Sequence, residues 1–243
     1  MRLTVAGSGD AFCAAGALQS TYVVEHSGGT LLLECGATAL AGLKRASIPT
    51  ETVDTVLVSH LHGDHFGGIP FLILEYTFAN VRTRPLRVIG PPSIEERVYG
   101  LYEHLYKGIP RCEKFEARFE EIVPGDRFEV EGLAATAFEV PHNADPFSLG
   151  YRLDSDEGNM LFSGDSAWTE EFVARSEGTD LFLCECCSME PSAPLHLSYS
   201  ELLARRASLG CSRMVLTHLG EDVRRAEGLE LERAEDGMVI EIG

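Results

Sequence analysis

Ten residues, Ser59-His60-Leu61-His62-Gly63-Asp64-His65-Phe66-Gly67-Gly68, constrain this chain more than any other feature. Three histidines and an aspartate stand within them, directly after the apolar run Thr55-Val56-Leu57-Val58. Imidazole and carboxylate at that density are costly to hold together. A divalent metal ion is the usual reason, because neutral imidazole nitrogen and carboxylate oxygen are natural ligands for it. On extended backbone His60 and His62 point the same way, since side chains repeat every second residue. The Gly63-Asp64-His65 segment is expected to turn the chain and offer a second pair of ligands. One loop after one strand can then feed two ions, and the fold must end other strands at the same cleft.

The 243-residue chain is 44% hydrophobic, enough to bury a full core. No stretch approaches the roughly 20 apolar residues that span a bilayer. The opening Met1-Arg2-Leu3-Thr4-Val5-Ala6-Gly7 reads as a first strand and not as a signal peptide, so a cytoplasmic protein is expected. A formal net charge of -18 repels polyanions, which argues against a nucleic-acid polymer as partner. An anionic substrate must be attracted locally, by metal ions or a few arginines. The seven cysteines, at positions 13, 35, 112, 184, 186, 187 and 211, read as reduced thiols. Cys184, Cys186 and Cys187 follow an apolar run and read as buried small side chains.

Taken in order, residues 3–6 form a strand leading into Gly7-Ser8-Gly9-Asp10-Ala11-Phe12. That is not a dinucleotide fingerprint, because Phe12 stands where the third glycine belongs and no long helix follows. Residues 21–25 and 30–35 read as a hairpin and 38–46 as a helix; the strand at 53–58 delivers the histidine loop. Residues 70–78 are apolar nearly all round, which predicts a helix that is buried or forms the face of a homodimer. A strand at 86–90 precedes an amphipathic helix to about residue 105. Strands are expected at 114–119, 127–130 and 133–140, then a hairpin over 148–153 and 159–162. Helix 169–175, strand 180–184, a helix starting on the capping box Ser198-Tyr199-Ser200-Glu201, strand 212–216 and strand 238–242 complete the series. Strands come first as antiparallel pairs and then alternate with helices, twice over. That pattern predicts two packed sheets with helices outside, one α/β (α+β) domain over residues 1–243.

Ligand-type residues recur at strand ends: His60, His62, Asp64 and His65, then His142, Asp165 and His218. Seven oxygen and nitrogen donors suit two ions sharing one carboxylate, with zinc the first choice and manganese or iron compatible with the same donors. The set resembles the metallo-β-lactamase-fold hydrolases. His-x-His-x-Asp-His is specific to that superfamily, and His142, Asp165 in Ser-Gly-Asp-Ser and His218 in Thr-His-Leu-Gly follow in its order. The resemblance covers nearly the whole chain and implies a four-layer αββα sandwich with the metals at one edge. It implies that His60, His62 and His142 hold one ion, that Asp64, His65 and His218 hold the second, and that Asp165 bridges them.

Within that superfamily, zinc β-lactamases of the commonest kind carry Cys in place of Asp165, and di-iron oxygen reductases carry Glu in place of His62. The opening Gly-Ser-Gly-Asp-Ala-Phe and His196 in Leu-His-Leu-Ser look like ribonuclease Z and its relatives. Ribonuclease Z, however, carries a long tRNA-binding arm between the residues matching His142 and Asp165, where this chain has only a hairpin. It also has a His-Glu-Ala-Thr strand end, of which Cys184-Glu185-Cys186-Cys187 keeps only the Glu. The resemblance therefore implies a small or cyclic phosphodiester as substrate, attacked by a hydroxide held between two zinc ions. A carboxylic ester, thioester or lactone, or tRNA cut at its 3′ end, is the alternative. Asp64 is expected to accept a hydrogen bond from that hydroxide, His196 to act as general acid, and Glu185 to orient His196.

Overall fold

The computed structural model describes residues 1–111, 114–192 and 194–243. Its first sheet contains β1 (Arg2–Gly7), β2 (Thr21–His26), β3 (Gly29–Leu33), β4 (Thr55–Leu57), β5 (Leu86–Gly90) and β6 (Ala117–Glu121). The second contains β7 (Arg127–Val130), β8 (Leu133–Val140), β9 (Ser148–Ser155), β10 (Gly158–Phe162), β11 (Leu181–Glu185), β12 (Arg213–Thr217) and the two-residue β13 (Glu232–Arg233). The last strand, β14 (Val239–Glu241), returns to the first sheet beside β1. The orders are β14-β1-β2-β3-β4-β5-β6 and β13-β12-β11-β10-β9-β8-β7. Each sheet is antiparallel on one side and parallel on the other: the change comes at β3–β4 in the first and at β10–β11 in the second. Helices α1 (Ala39–Arg45), α2 (Gly63–Phe66), α3 (Ile69–Phe78), α4 (Ile94–Leu105), α5 (Glu171–Ser176), α6 (Tyr199–Arg205) and α7 (Glu221–Arg225) supply the connections.

Side-chain alternation sorts the strands into layers. In β2, Tyr22 and Val24 enter the core between the sheets while Val23 faces outward; in β3, Leu31 and Leu33 do so against Leu32. The second sheet repeats this: Leu181 and Leu183 point in, and Phe182 and Cys184 point out. The outward set of the first sheet packs under α1, α3 and α4, and that of the second under α5, α6 and α7. Both faces of both sheets are thus covered, which is the expected αββα arrangement.

Several sequence expectations need adjustment. Helix α3 packs into the outer core through Ile69, Leu72, Ile73 and Tyr76, so most of its apolar surface is explained by burial and only Phe78 stands well exposed. The strand expected at 114–119 begins at Ala117, and Cys112 lies outside the described residues. Gly63-Asp64-His65 is not a simple turn but the start of the single-turn helix α2, closed by Phe66 N–H to His62 O and Gly67 N–H to Gly63 O. The sequence pattern missed β13, which is too short to carry a period. Cys184 and Cys186 are buried and Cys187 half-buried, as expected for small packing side chains. Among the described residues no helix is long and apolar enough to cross a membrane.

Candidate metal centre

Parallel strands bring their carboxyl ends to one edge, and the loops leaving those ends carry the polar side chains, as is usual in sheets of this kind. After β4 the chain stays extended through His62, which puts the His60 and His62 rings 4.5 Å apart between centroids. Helix α2 then turns Asp64 and His65 to a neighbouring point. Glycine permits this packing: a Cβ on Gly36 would stand 2.4 Å from the Asp64 carbonyl oxygen, and one on Gly68 would stand 2.2 Å from that of Gly36. The loop after β8 supplies His142, the loop after β10 Asp165, and the end of β12 His218.

These seven side chains, separated by up to 158 positions (218 − 60), converge. The donor atoms of His60, His62 and His142 lie within 4.8 Å of one another, and so do those of Asp64, His65, Asp165 and His218. In the second group His65 Nε2 is 3.2 Å from both Asp64 Oδ2 and Asp165 Oδ2, and His218 Nε2 is 3.3 Å from the same two oxygens. Four donors held at about 2.0–2.1 Å around a tetrahedral ion would stand about 3.3 Å apart. Asp165 Oδ2 also lies 3.9 Å from His142 Nε2, which is itself 3.3 Å from His62 Nδ1. A single carboxylate oxygen therefore faces both groups.

The surrounding groups fix which ring nitrogen turns inward. His142 Nδ1 lies 3.1 Å from the Leu195 carbonyl, and His60 Nδ1 2.9 Å from Ser59 Oγ. Glu34, fully buried, accepts the Ser59 N–H at 2.9 Å through Oε1 and sets Oε2 3.3 Å from His65 Nδ1. Partners of this kind orient imidazole ligands toward a metal. Among the described residues, the buried His60 Nε2 and both ring nitrogens of His65 make no hydrogen bond, although carboxylate oxygens stand 3.2–3.3 Å from the His65 nitrogens. Buried polar atoms are rarely left so, and a cation is the partner that suits bare imidazole nitrogens facing carboxylates. The donor set fits zinc or a neighbouring divalent ion.

Glu34 and the Leu195 carbonyl were not foreseen. Glu34 looks like an ordinary acid after Leu31-Leu32-Leu33; the available signal was a charged residue closing an apolar strand. Glu34, Leu195 and His218 all adopt left-handed backbone, at φ of 62°, 66° and 50°. That region is unfavourable for side-chain-bearing residues and clusters at functional sites. Glu34→Ala is expected to loosen metal about 10–100-fold, the usual effect of removing such an outer partner. Retention against a competing chelator reads this directly, and unaltered retention would show that His65 needs no help from Glu34.

Electrostatics match the geometry. Burial alone would raise the pKa of Asp165, but the His218 and His65 charges and the His65 contact outweigh it and hold the carboxyl well below the usual range. Asp64 is lowered likewise: burial opposes, and His65 and His218 prevail. His218 is pushed up to about 9, against its burial, by Asp165 and Asp64. Burial lowers His60, and the neighbouring His65 adds to the effect.

His196 sits at the rim, half-buried. Its Nδ1 lies 3.0 Å from Glu185 Oε1, which also accepts the Ser166 N–H at 2.5 Å. Its ring stacks on His218 at 5.7 Å and meets His142 edge-on at 4.8 Å. Burial would lower its pKa, but the hydrogen bond and charge of Glu185 reverse that and raise it. Ser198 caps α6 through its side chain, as the capping box foretold, and so anchors the loop that carries His196. All nine site residues expected from the sequence thus occupy one edge of the sandwich.

Residues 1–238 match the family model described as anti-Pycsar protein Apyc1. The chain belongs to the Apyc1 family. It is 25% identical over 240 residues to the anti-Pycsar protein Apyc1 of Bacillus phage 010DV004, covering 92% of this chain and 90% of the phage protein. It is also 32% identical over 154 residues to the ribonuclease Z of Methanosarcina acetivorans, covering 63% of this chain and 48% of that protein. The match therefore spans about half the length of that ribonuclease. The fold is shared with the metallo-β-lactamase fold protein YhfI from Bacillus subtilis, at a TM-score of 0.79 and 22% identity over 99% of each chain. The Apyc1-family chain is thus a metallo-β-lactamase-fold protein close to the ribonuclease Z-like group, as its histidine motif implied.

Proposed function

We propose that this Apyc1-family chain is a metal-dependent hydrolase of small or cyclic phosphodiesters. The observation that carries the reading is one Asp165 oxygen facing two donor groups, with the His196–Glu185 pair at their rim. In this reading His60, His62 and His142 hold one divalent ion, Asp64, His65 and His218 hold the other, Asp165 is shared, and zinc is the ion of choice. Two such ions, when bound, supply a water that is deprotonated near neutral pH and a positive field for the phosphoryl oxygens.

The chain's own groups do the rest. Asp64 accepts a hydrogen bond from the attacking water. His196, held protonated and oriented by Glu185, gives its proton to the departing alkoxide. The donors are preorganised by burial, so little reorganisation is needed as charge builds on the phosphoryl group. The choice of phosphodiester draws on the resemblance to the ribonuclease Z-like phosphodiesterases, which the family match and the ribonuclease Z relatives support. The hairpin of β9 and β10 fills the chain between His142 and Asp165, where the ribonuclease Z resemblance would require a tRNA arm. With the net charge of -18, this favours a small anion over a nucleic-acid polymer.

The deciding experiment offers purified, metal-analysed protein a linear phosphodiester, a cyclic nucleotide, a thioester and a lactone. Turnover is expected on the two phosphorus esters. It should vanish after exhaustive chelation and return when zinc or manganese is restored. Turnover confined to the thioester or lactone would replace the phosphodiesterase reading with a carboxylic-ester one.

A further inference from the structure

One buried acid at this edge of the sandwich, Glu185 at the end of β11, belongs to neither inner donor group. Its carboxylate faces His196 Nδ1 with both oxygens, at 3.0 Å from Oε1 and 3.3 Å from Oε2. A donor atom of His218 joins them, so that Glu185, His196 and His218 offer a further set of donors within 4.8 Å of one another. His218 has a nitrogen for each of its two groups. Its Nε2 stands 3.3 Å from Asp64 Oδ2 and from Asp165 Oδ2. Its Nδ1 is buried and, among the described residues, has no hydrogen-bond partner.

A hydrogen bond accounts for the His196–Glu185 pair by itself. It does not account for the bare His218 nitrogen, since buried polar atoms are rarely left unpaired. One cation satisfies all three groups, and nitrogen and oxygen donors 3.0–3.3 Å apart match two ligands held at about 2.0–2.1 Å from one ion. Two imidazoles and one carboxylate favour zinc over magnesium or calcium, which prefer oxygen donors. His196 also comes within 4.8 Å of His142 and Asp165, but those two already face the inner groups. The His196 side chain is 20% exposed, so this position opens to solvent, and an ion can enter and leave it while the inner groups are filled.

We infer that Glu185, His196 and His218 form a third, exchangeable zinc site whose occupation switches the centre off. The ion on His196 Nδ1 takes the place of the proton shared with Glu185, which passes to solvent. His196 is then a zinc-bound neutral imidazole, a far weaker acid at Nε2 than an imidazolium, and the departing alkoxide finds no proton. The site stands on the donor geometry alone; the switch rests on the phosphodiesterase reading and adds regulation to it.

The test dialyses the metal-loaded full chain against buffered free zinc and counts zinc per chain. Two ions are expected to bind first and a third at higher free zinc. Glu185→Gln and His196→Ala should each weaken the third ion alone, by at least the roughly 10–100-fold that losing even an outer partner costs. Zinc at the concentration that fills the third site should slow a phosphodiester with an alkyl leaving group by up to the roughly 10²–10⁴-fold that a general acid contributes. Release of p-nitrophenolate should change little, and magnesium at the same concentration should slow neither substrate. A count that stops at two, or a third ion held equally by both variants, would overturn the site. Equal slowing of the two substrates would overturn the switch, because the ion would then block the centre and not its acid. If neither substrate is turned over, the phosphodiesterase reading falls by itself, and the zinc count still decides the site.

Discussion

Asp165→Asn protein purified from zinc-replete medium is expected to retain less than the full metal complement of the parent chain and to lose activity by roughly 10³-fold or more, since groups that act as a unit fail together. Its Oδ2 is close to donors of both groups, 3.2 Å from His65 Nε2, 3.3 Å from His218 Nε2 and 3.9 Å from His142 Nε2. An amide keeps the shape but not the charge. It would leave Asp64 as the one carboxylate at 3.2–3.3 Å from the inward Nε2 atoms of His65 and His218 among the described residues. Elemental analysis of the purified variant is the measurement. Full occupancy at wild-type affinity would refute the shared position of Asp165.

His196→Ala separates chemistry from metal binding. The variant should keep its metal content while kcat on an alkyl-leaving-group phosphodiester falls about 10²–10⁴-fold, the range for losing a general acid. The same substitution should cost much less on a substrate that releases p-nitrophenolate, which departs without a proton. A purely structural histidine would depress both substrates equally, and that result would remove His196 from the acid role. Glu185→Gln should show the same leaving-group dependence more weakly, because Glu185 acts through the His196 Nδ1 it contacts at 3.0 Å.

The candidate donors were legible in the sequence because each stands where an apolar strand stops and a Gly, Pro, Ser or Thr begins. A strand buried on both faces reads as a continuous apolar run, and its end is therefore sharp. The layer order was legible for the same reason: the antiparallel pairs and the strand–helix alternation recur twice. What was hidden depends on contacts between distant segments. Glu34 is an acid after a strand until the fold sets it 3.3 Å from His65, 31 positions away (65 − 34). The Leu195 carbonyl has no side-chain signature at all, and only its left-handed backbone marks it out. Helix α2 reads as a turn in the sequence because four residues carry too little periodicity to declare a helix. The apolar character of 70–78 admitted two explanations, and packing against β-strands of the first sheet accounts for most of it.

The cluster takes Asp64 and His65 from a loop leaving one sheet and Asp165 and His218 from loops leaving the other. A donor cluster assembled across the seam between two halves would tie ion occupancy to the cohesion of the molecule, since whatever binds only the folded chain favours it by mass action. Scarcity of divalent ions would then thin the population of intact molecules as well as idle those that remain, making trace-metal supply a control on abundance and not on rate alone.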